Sequence, residues 1–291
     1  MANPIQFAKQ GLIDLATEIR WLRYMSTCPA TASAVKLIGR TDLEYGLNIS
    51  DRFRYVYVDN PKTGCSSLKS AMIELELSGL DSGIDPFDHA LVHRVATAKG
   101  TSPLLRITDL KASNPISALV DGGYKFVTFI RNPYTRLVSG YKDKILKNQN
   151  QKLHILKALG IPADQIDHQI TFDAFIEAIA RQSDQQMDPH WRPQSTQTLQ
   201  GIIKYDFIGR FENFDSDFSH TFKALGIPND LVPLSRHMNK TGSEAAPLEI
   251  SKKTQNLILE RFRVDFEGFG YDEKPPSTIA VTGLKRNVAV S

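Results

Sequence analysis

The sequence predicts an α/β fold in which one domain holds a parallel β-sheet flanked by helices. Tyr55–Val58 is a run of aromatic and β-branched residues typical of a buried strand, followed by a polar loop and a helical pattern over residues 66–77. The same order recurs where residues 125–131 lead into a helix beginning at Pro133, and residues 205–211 predict a third strand. Strands that alternate with helices pair in parallel through right-handed crossovers.

The composition is that of a soluble globular protein. Of 291 residues, 41% are hydrophobic and 23% charged, and the net charge of +3 is too small to indicate a nucleic-acid partner but suits an anionic ligand. Two cysteines, Cys28 and Cys65, argue against a disulfide framework. With no secretory signal pattern and no apolar run of about 18 residues, the sequence predicts a cytoplasmic protein.

We expect three regions along the chain. Residues 1–50 comprise an amphipathic helix over residues 4–25 and an irregular connection over 26–50, residues 51–272 form the functional domain, and residues 273–291 form a loosely held tail. The N-terminal helix is expected to dock on the main fold. A dimer contact or a peripheral membrane contact is the alternative.

Several shorter elements complete the prediction. They are a strand over residues 104–107, a helix over 111–120, a helix from Pro133 to about residue 147, a helix capped by Thr171 and a last helix over 250–262. The hexapeptide Lys-Ala-Leu-Gly-Ile-Pro occurs at residues 157–162 and 223–228. Because the flanks differ, it indicates a glycine-capped helix end used twice rather than a repeat.

The loop after the first strand is a candidate anion site. A strand–loop–helix connection directs backbone N–H groups and the positive end of a helix dipole at one point. Lys62 adds a cation, Thr63, Ser66 and Ser67 add hydroxyl groups, and Gly64 lets the backbone close around an anion. The nucleotide-triphosphate pattern, which ends in Gly-Lys-Ser/Thr, is absent from the sequence. An ordinary strand–turn–helix with a solvated lysine is the alternative.

Arg131 marks a second candidate anion site, because it ends the second strand and Ser139 follows on the next helix. Ligands of parallel sheets gather at the carboxyl ends of the strands, so Arg131 and the Lys62 loop are expected to share one edge. A guanidinium fits phosphate, and a hydroxyl group can contact a third oxygen. Pairing of Arg131 with a carboxylate is the alternative.

Together these segments resemble sulfotransferases that use 3′-phosphoadenosine 5′-phosphosulfate (PAPS), in particular the carbohydrate group that includes the HNK-1 and chondroitin enzymes. That family's Pro-Lys-x-x-Cys-[Ser/Thr] loop stands at residues 61–66, and its Arg-x-Pro-[Phe/Tyr]-x-Arg-Leu-x-Ser-x-[Tyr/Phe] segment at 131–141. Four further matches follow in order, at residues 190–191, 205–212, 239–241 and 265–271.

The resemblance covers about residues 52–272 and implies a P-loop-type sheet. It also implies that Lys62, Thr63, Gly64, Cys65, Ser66 and Ser67 bind the 5′-phosphosulfate and that Arg131 and Ser139 bind the 3′-phosphate. A saccharide or another hydroxyl-bearing acceptor is expected, with no metal and no nucleic acid. The chain lacks the N-terminal anchor and most cysteines of the Golgi members, which favours a cytosolic, bacterial setting. Residues 148–170 match nothing in the family.

Sulfuryl transfer needs charge stabilisation at the departing phosphate, which we assign to Lys62, and a base for the acceptor proton. His89, His93 and His190 are the candidates, and His93 is favoured because the resembling enzymes carry a histidine in that segment. Trp191 is expected to pack on a sugar ring with His190 beside it.

Other residues leave alternatives open. Arg192, Arg210 and Arg236 are expected to hold an anionic acceptor or to form surface ion pairs. A P-loop-like kinase is the rival enzyme, disfavoured because no carboxylate suited to Mg²⁺ follows a strand. The third hypothesis is a non-enzymatic module that binds nucleotides or polyanions, with incidental histidines.

Overall fold

A computed structural model describes residues 4–93, 102–110, 112–236 and 248–282, with a four-stranded sheet at its centre. The strands are β1 (Leu47–Ser50), β2 (Tyr55–Val58), β3 (Lys125–Ile130), β4 (Phe207–Arg210), β5 (Leu248–Ser251) and β6 (Ile279–Thr282). The order is β1-β2-β3-β4, in which β2, β3 and β4 are parallel and β1 is antiparallel to β2. β5 and β6 form a separate parallel pair. The predicted α/β class is confirmed, with an antiparallel edge strand added.

Helices flank this sheet. In the described residues they are α1 (Pro4–Thr27), α2 (Pro29–Ile38), α3 (Arg40–Gly46), α4 (Cys65–Leu77), α5 (His89–Val92), α6 (Pro115–Asp121), α7 (Pro133–Gly140), α8 (Lys152–Ala158), α9 (Phe172–Ala180), α10 (Gln194–Gln197), α11 (Phe214–Leu225), α12 (Lys252–Arg261) and α13 (Arg263–Phe269). A π-helical turn, Tyr141–Ile145, continues α7. The 3₁₀ turns are Ile107–Asp109, Asp184–Gln186, Phe211–Asn213 and Asn229–Leu231.

The central strands are buried on both faces. Successive side chains of a strand point to opposite faces of the sheet. Tyr55 and Tyr57 therefore pack in one core cluster with residues of α4 and α11, whereas Val56 and Val58 pack in another with residues of α1, α2 and α6. A third cluster joins α7, α9, α12 and α13. This double burial explains why β2 is a continuous apolar run rather than an alternating one.

Local signals set the ends of several helices as predicted. The Asn132 side chain accepts hydrogen bonds from the N–H groups of Tyr134 and Thr135, and Pro133 takes the first helical position of α7. Thr171 caps α9 by accepting a bond from the N–H of Ala174 at 3.2 Å. These contacts satisfy donors that a helix start leaves without intrahelical partners.

Other sequence predictions were wrong. Residues 26–50 are not irregular but form α2, α3 and β1. Residues 104–107 contribute one bridge, between Leu105 and Ile49, rather than a strand. The helix that begins at Pro133 changes to the π-helical turn at residue 141, and the last long helix begins at residue 252 because Ile250 belongs to β5. Part of the expected loose tail forms β6.

α1 docks through two aromatic side chains, Trp21 and Tyr24, which are buried in the cluster on one face of the sheet. Leu15, Ile19 and Leu22 are exposed on the same helix, and the alternative of a dimer or membrane contact stays a prediction. Among the described residues, none of the helices combines the length and the apolar character needed to cross a membrane.

Candidate active site

The loop between β2 and α4 has the geometry of an anion cradle. Its backbone adopts positive φ at Lys62 (74°) and at Gly64 (86°), and Thr63 Oγ1 donates to the Asn60 carbonyl at 2.6 Å. A Cβ on Gly64 would lie 2.5 Å from the Phe214 ring, so the position requires glycine for space as well as conformation. The loop ends at the N-terminus of α4, whose first N–H groups have no acceptor within the helix.

Side chains of the predicted donor site line this helix start. Ser66 and Cys65 are partly exposed, and Ser67 is buried. Burial raises the pKa of the Cys65 thiol to about 11, so the thiol is neutral at neutral pH. A helix N-terminus with nearby hydroxyl groups suits a phosphate or sulfate group.

Lys62 is held by a carboxylate from the π-helical turn. Its Nζ lies 2.9 Å from Asp143 Oδ2, and Asp143 also pairs with Lys144 at 3.1 Å and with Lys147 at 3.3 Å. Burial lowers the pKa of Lys62, although Asp143 opposes the shift. Burial alone would raise the pKa of Asp143, but Lys62 and Lys144 bring it below its usual range. The π-helical turn therefore places the Asp143 carboxylate and the Lys144 ammonium group beside the loop.

Arg131 joins the second predicted anion site to the first. At the end of β3, its guanidinium donates to the Lys62 carbonyl at 3.1 Å and to Thr135 Oγ1 at 3.0 Å, and it stacks on the Phe211 ring at 4.2 Å. Burial lowers the pKa of Arg131 to about 10. Within the described part of the chain, Arg131 forms no ion pair with a carboxylate, so the pairing alternative is not observed there. A desolvated cation of this kind fits an anionic ligand.

Ser139 lies on α7, the helix that follows Arg131, and its side chain is partly exposed. The next residue, Gly140, packs closely against another loop, since a Cβ there would lie 3.1 Å from the His190 carbonyl oxygen. Lys62 and Arg131 therefore lie at the same end of the sheet, and Ser139 lies on the helix that begins there. Their binding roles stay predictions.

Arg136 is a residue whose role the sequence did not reveal. It is 1% exposed, and its guanidinium donates to the Pro61 carbonyl at 3.0 Å and to the Arg192 and Pro189 carbonyls at 2.7 Å each. Burial lowers its pKa to about 10, opposed by Asp265. It thereby clamps the anion loop to the segment that carries His190. Its spacing within the matched 131–141 segment was the only available signal.

The predicted base candidates lie in two places. His93 caps the C-terminal end of α5, with its Nδ1 2.9 Å from the Tyr45 hydroxyl and its ring centroid 4.3 Å from that of the exposed His89. His190 lies in the loop before α10, with its Nδ1 2.6 Å from Asp188 Oδ1. Burial and Lys69 lower the pKa of His93 to about 4. His93 as the base stays a prediction.

One acceptor prediction was wrong, and for a second residue the ion-pair alternative is the one observed. Trp191 is fully buried and packs edge-on against Phe175 with ring centroids 5.4 Å apart, so it cannot stack on a sugar. Arg192 is also buried and forms an ion pair with Asp42 at 2.7 Å, which leaves it structural rather than available to an acceptor.

Arg210 and Arg236 stack on aromatic rings instead. Arg210 lies over Tyr271 at 4.7 Å, and Arg236 lies over Phe87 at 4.5 Å. Their role toward an acceptor stays a prediction. The matched segment at residues 239–241 lies outside the described residues.

Asp265 orders the start of α10. Its carboxylate accepts from the N–H groups of Gln194 and Ser195 at 2.7 and 2.8 Å, and the Gln194 side chain bonds to the backbone of Arg131. The matched segment at residues 265–271 therefore supports the strand end that carries Arg131. In the described residues, no group of three or more His, Cys, Asp or Glu side chains has the arrangement of a metal site.

Comparisons with known proteins agree with this geometry. The family model described as "Sulfotransferase family" matches residues 45–272. Carbohydrate sulfotransferase 14 of Danio rerio is 25% identical over 276 residues, which cover 89% of this chain and 72% of the relative. Carbohydrate sulfotransferase 8 of Mus musculus is 27% identical, covering 63% and 44%, and carbohydrate sulfotransferase 9 of Homo sapiens is 25% identical, covering 77% and 52%. The chain thus spans about half the length of the last two relatives. No solved structure matches significantly.

Proposed function

The chain belongs to the sulfotransferase family, and on that premise we propose that it transfers the sulfuryl group of PAPS to a hydroxyl group of a saccharide. The observation that carries the proposal is the direct contact between the two anion sites, where Arg131 donates to the Lys62 carbonyl at 3.1 Å. A donor with a 3′-phosphate and a 5′-phosphosulfate needs two such sites a short distance apart.

Two sets of residues would hold the two ends of the donor. We propose that the α4 N-terminus, with Lys62, Thr63, Gly64, Cys65, Ser66 and Ser67, binds the 5′-phosphosulfate, and that Arg131 and Ser139 bind the 3′-phosphate. Lys62 stabilises charge that develops on the departing phosphate, and a histidine takes the acceptor proton. We propose that the reaction needs no metal ion.

A saccharide acceptor is proposed from the relatives, whose names describe them as carbohydrate sulfotransferases. The identity of the sugar and the position sulfated are best found by incubating the protein with ³⁵S-labelled PAPS and a panel of unsulfated glycans and p-nitrophenyl glycosides. Label transferred to a glycan supports the proposal. Label transferred only to phenols or amines would contradict the saccharide part.

The kinase and polyanion-binding alternatives are not favoured, because the family match covers residues 45–272. Calorimetric titration with ATP, with PAPS and with heparin separates the three hypotheses. We expect PAPS to bind most tightly. Preferred binding of ATP in the presence of Mg²⁺ would revive the kinase hypothesis.

A cytoplasmic location is also proposed. The support is the cysteine content, since Cys28 and Cys65 are both free thiols, as expected in a reducing compartment. Fractionation of cells that express the full-length protein tests this, and recovery in a membrane or secreted fraction would contradict it.

A further inference from the structure

Two histidines at this site differ in the partner of Nδ1, which is a carboxylate for His190 and a tyrosine hydroxyl group for His93. We infer that His190 accepts the acceptor's proton while His93 acts as an N–H donor to the anionic sulfuryl group. This assignment rests on the proposed function, which supplies the reaction. It differs from the sequence prediction, which favoured His93 as the base.

Asp188 fixes the protonation of His190. Its Oδ1 lies 2.6 Å from His190 Nδ1 and also accepts from the His190 backbone N–H at 3.0 Å. Burial alone would raise the pKa of Asp188, but hydrogen bonds from His190 lower it, so the carboxylate is ionised and only accepts. Nδ1 must then carry the proton. The lone pair of neutral His190 is therefore on Nε2, where it can take a proton.

Lys69 fixes the protonation of His93 through Tyr45. Lys69 Nζ donates to the Tyr45 hydroxyl oxygen at 3.1 Å, because an ammonium group has donors and no acceptor. We assign the Tyr45 proton to the bond with His93 Nδ1, 2.9 Å away, and in this arrangement that nitrogen accepts and Nε2 bears the N–H group. Lys69 is in turn paired with Asp59 at 2.8 Å, and both side chains are 2% exposed, which keeps the cation in place.

The charges around His93 support this division. Burial lowers the pKa of His93, and Lys69, His89 and Lys144 lower it further, although Asp59 opposes them. His93 is thus surrounded mainly by positive charge, which disfavours proton uptake.

His190 lies instead near two carboxylates. They are Asp188, whose Oδ1 lies 2.6 Å from its Nδ1, and Asp42, which is itself paired with Arg192 at 2.7 Å. The two rings therefore differ in the partner of Nδ1, which is a carboxylate for His190 and a hydroxyl group for His93.

Backbone contacts of one guanidinium join the anion loop to the segment that carries His190. Arg136 binds the Pro61 carbonyl of the anion loop and the Pro189 carbonyl next to His190. α3 supports both sides, because Tyr45 contacts His93 and Asp42, three residues earlier, pairs with Arg192. Residues three apart lie on the same helix face.

Sulfuryl transfer exchanges one sulfur–oxygen bond for another. The acceptor oxygen forms a bond to sulfur as the bond between sulfur and the 5′-phosphate oxygen breaks, and that electron pair remains on the phosphate. The acceptor proton moves to His190 Nε2. Asp188 stabilises the resulting imidazolium, which later releases the proton to solvent.

Glutamine variants test the assignment, because a glutamine keeps an N–H donor but cannot act as a base at neutral pH. We expect His190→Gln to lower kcat by roughly 10²–10⁴-fold, the usual contribution of a general base. His93→Gln should lower kcat by less than about tenfold, whereas His93→Ala, which removes the donor, should cost roughly 10²-fold. The assay uses ³⁵S-PAPS with unsulfated chondroitin, or with the best glycan from the acceptor panel, at saturating concentrations of both substrates.

A pH profile and a second variant complete the test. The acid limb of kcat against pH should be present in wild type and in His93→Gln but should change in Asp188→Asn, whose amide no longer enforces the tautomer. Adenosine 3′,5′-bisphosphate affinity, measured by calorimetry, confirms that each variant is folded. A severe kcat loss in His93→Gln with near-normal His190→Gln overturns the assignment, as does near-normal kcat in both. Absence of sulfuryl transfer by the wild-type protein would instead reject the proposed function.

Discussion

Replacing Arg131 with alanine should remove most of the preference for a nucleotide that carries a 3′-phosphate. In the structure, the guanidinium is partly buried, stacks on Phe211 at 4.2 Å and has no carboxylate partner among the described residues. A charge-assisted hydrogen bond contributes roughly 1.5–3 kcal/mol, so each bond to the 3′-phosphate corresponds to about a tenfold to 100-fold gain in affinity. Wild type should therefore bind adenosine 3′,5′-bisphosphate at least about tenfold more tightly than adenosine 5′-phosphate.

Calorimetric titration with both nucleotides measures this ratio, which Arg131→Ala should bring close to one. Because Arg131 also donates to the Lys62 carbonyl, its loss should weaken adenosine 5′-phosphate binding slightly as well. Arg210→Ala is the matched control, since Arg210 ends the adjacent strand, stacks on Tyr271 and donates to a backbone carbonyl. Equal affinities in wild type, or an unchanged ratio in Arg131→Ala, would refute the assignment of Arg131.

Three further predictions concern metal, stability and pH. Excess EDTA should leave sulfuryl transfer largely intact, whereas a loss that Mg²⁺ restores would favour the kinase hypothesis. Lys69→Met should lower the free energy of unfolding in urea by about 3–5 kcal/mol, because Asp59 would be buried without a partner, while Lys253→Met at the exposed pair with Glu177 should cost less than about 1 kcal/mol. The folded-state pKa of His93 is about 4, below its usual 6.5, so protonation at low pH favours the unfolded chain. The contribution of neutral His93 to the free energy of unfolding is therefore complete above pH 6.5 and is lost as the pH falls toward 4. His93→Gln should reduce this pH dependence in urea titrations, and an unchanged pH dependence would contradict the prediction.

Local patterns explain what could be predicted from the sequence. The strand β2 and the loop around Lys62 depend on neighbouring residues, since β-branched and aromatic residues favour the strand and Gly64 permits the turn. Asn132 and Pro133 likewise determine the start of α7 through contacts within one turn. Such signals lie within a few residues of the structure they determine, and six motifs in family order then identify the fold class and the reaction.

Long-range contacts account for the errors. Trp191 looked suited to a sugar because an aromatic residue beside His190 has the same local pattern whether it faces solvent or the core, and only packing against Phe175 decides. The region before β2 looked irregular because its helices are short and gain their stability from packing, as Ile38 and Leu43 do in the core. The three carbonyl contacts of Arg136 join segments far apart in the chain, which no spacing rule captures.

The position of Arg136 implies that donor and acceptor geometry are coupled. One buried guanidinium binds the Pro61 carbonyl of the anion loop and the Pro189 and Arg192 carbonyls of the His190 loop, so neither loop can shift without breaking a bond to a desolvated cation. Sulfuryl transfer requires the acceptor oxygen, sulfur and leaving oxygen to be in line, and small misplacements cost large factors in rate. The clamp should therefore matter more for kcat than for the affinity of either substrate. We propose this coupling as the reason that a fully buried arginine, with its large desolvation cost, occupies the position rather than an apolar residue of similar size.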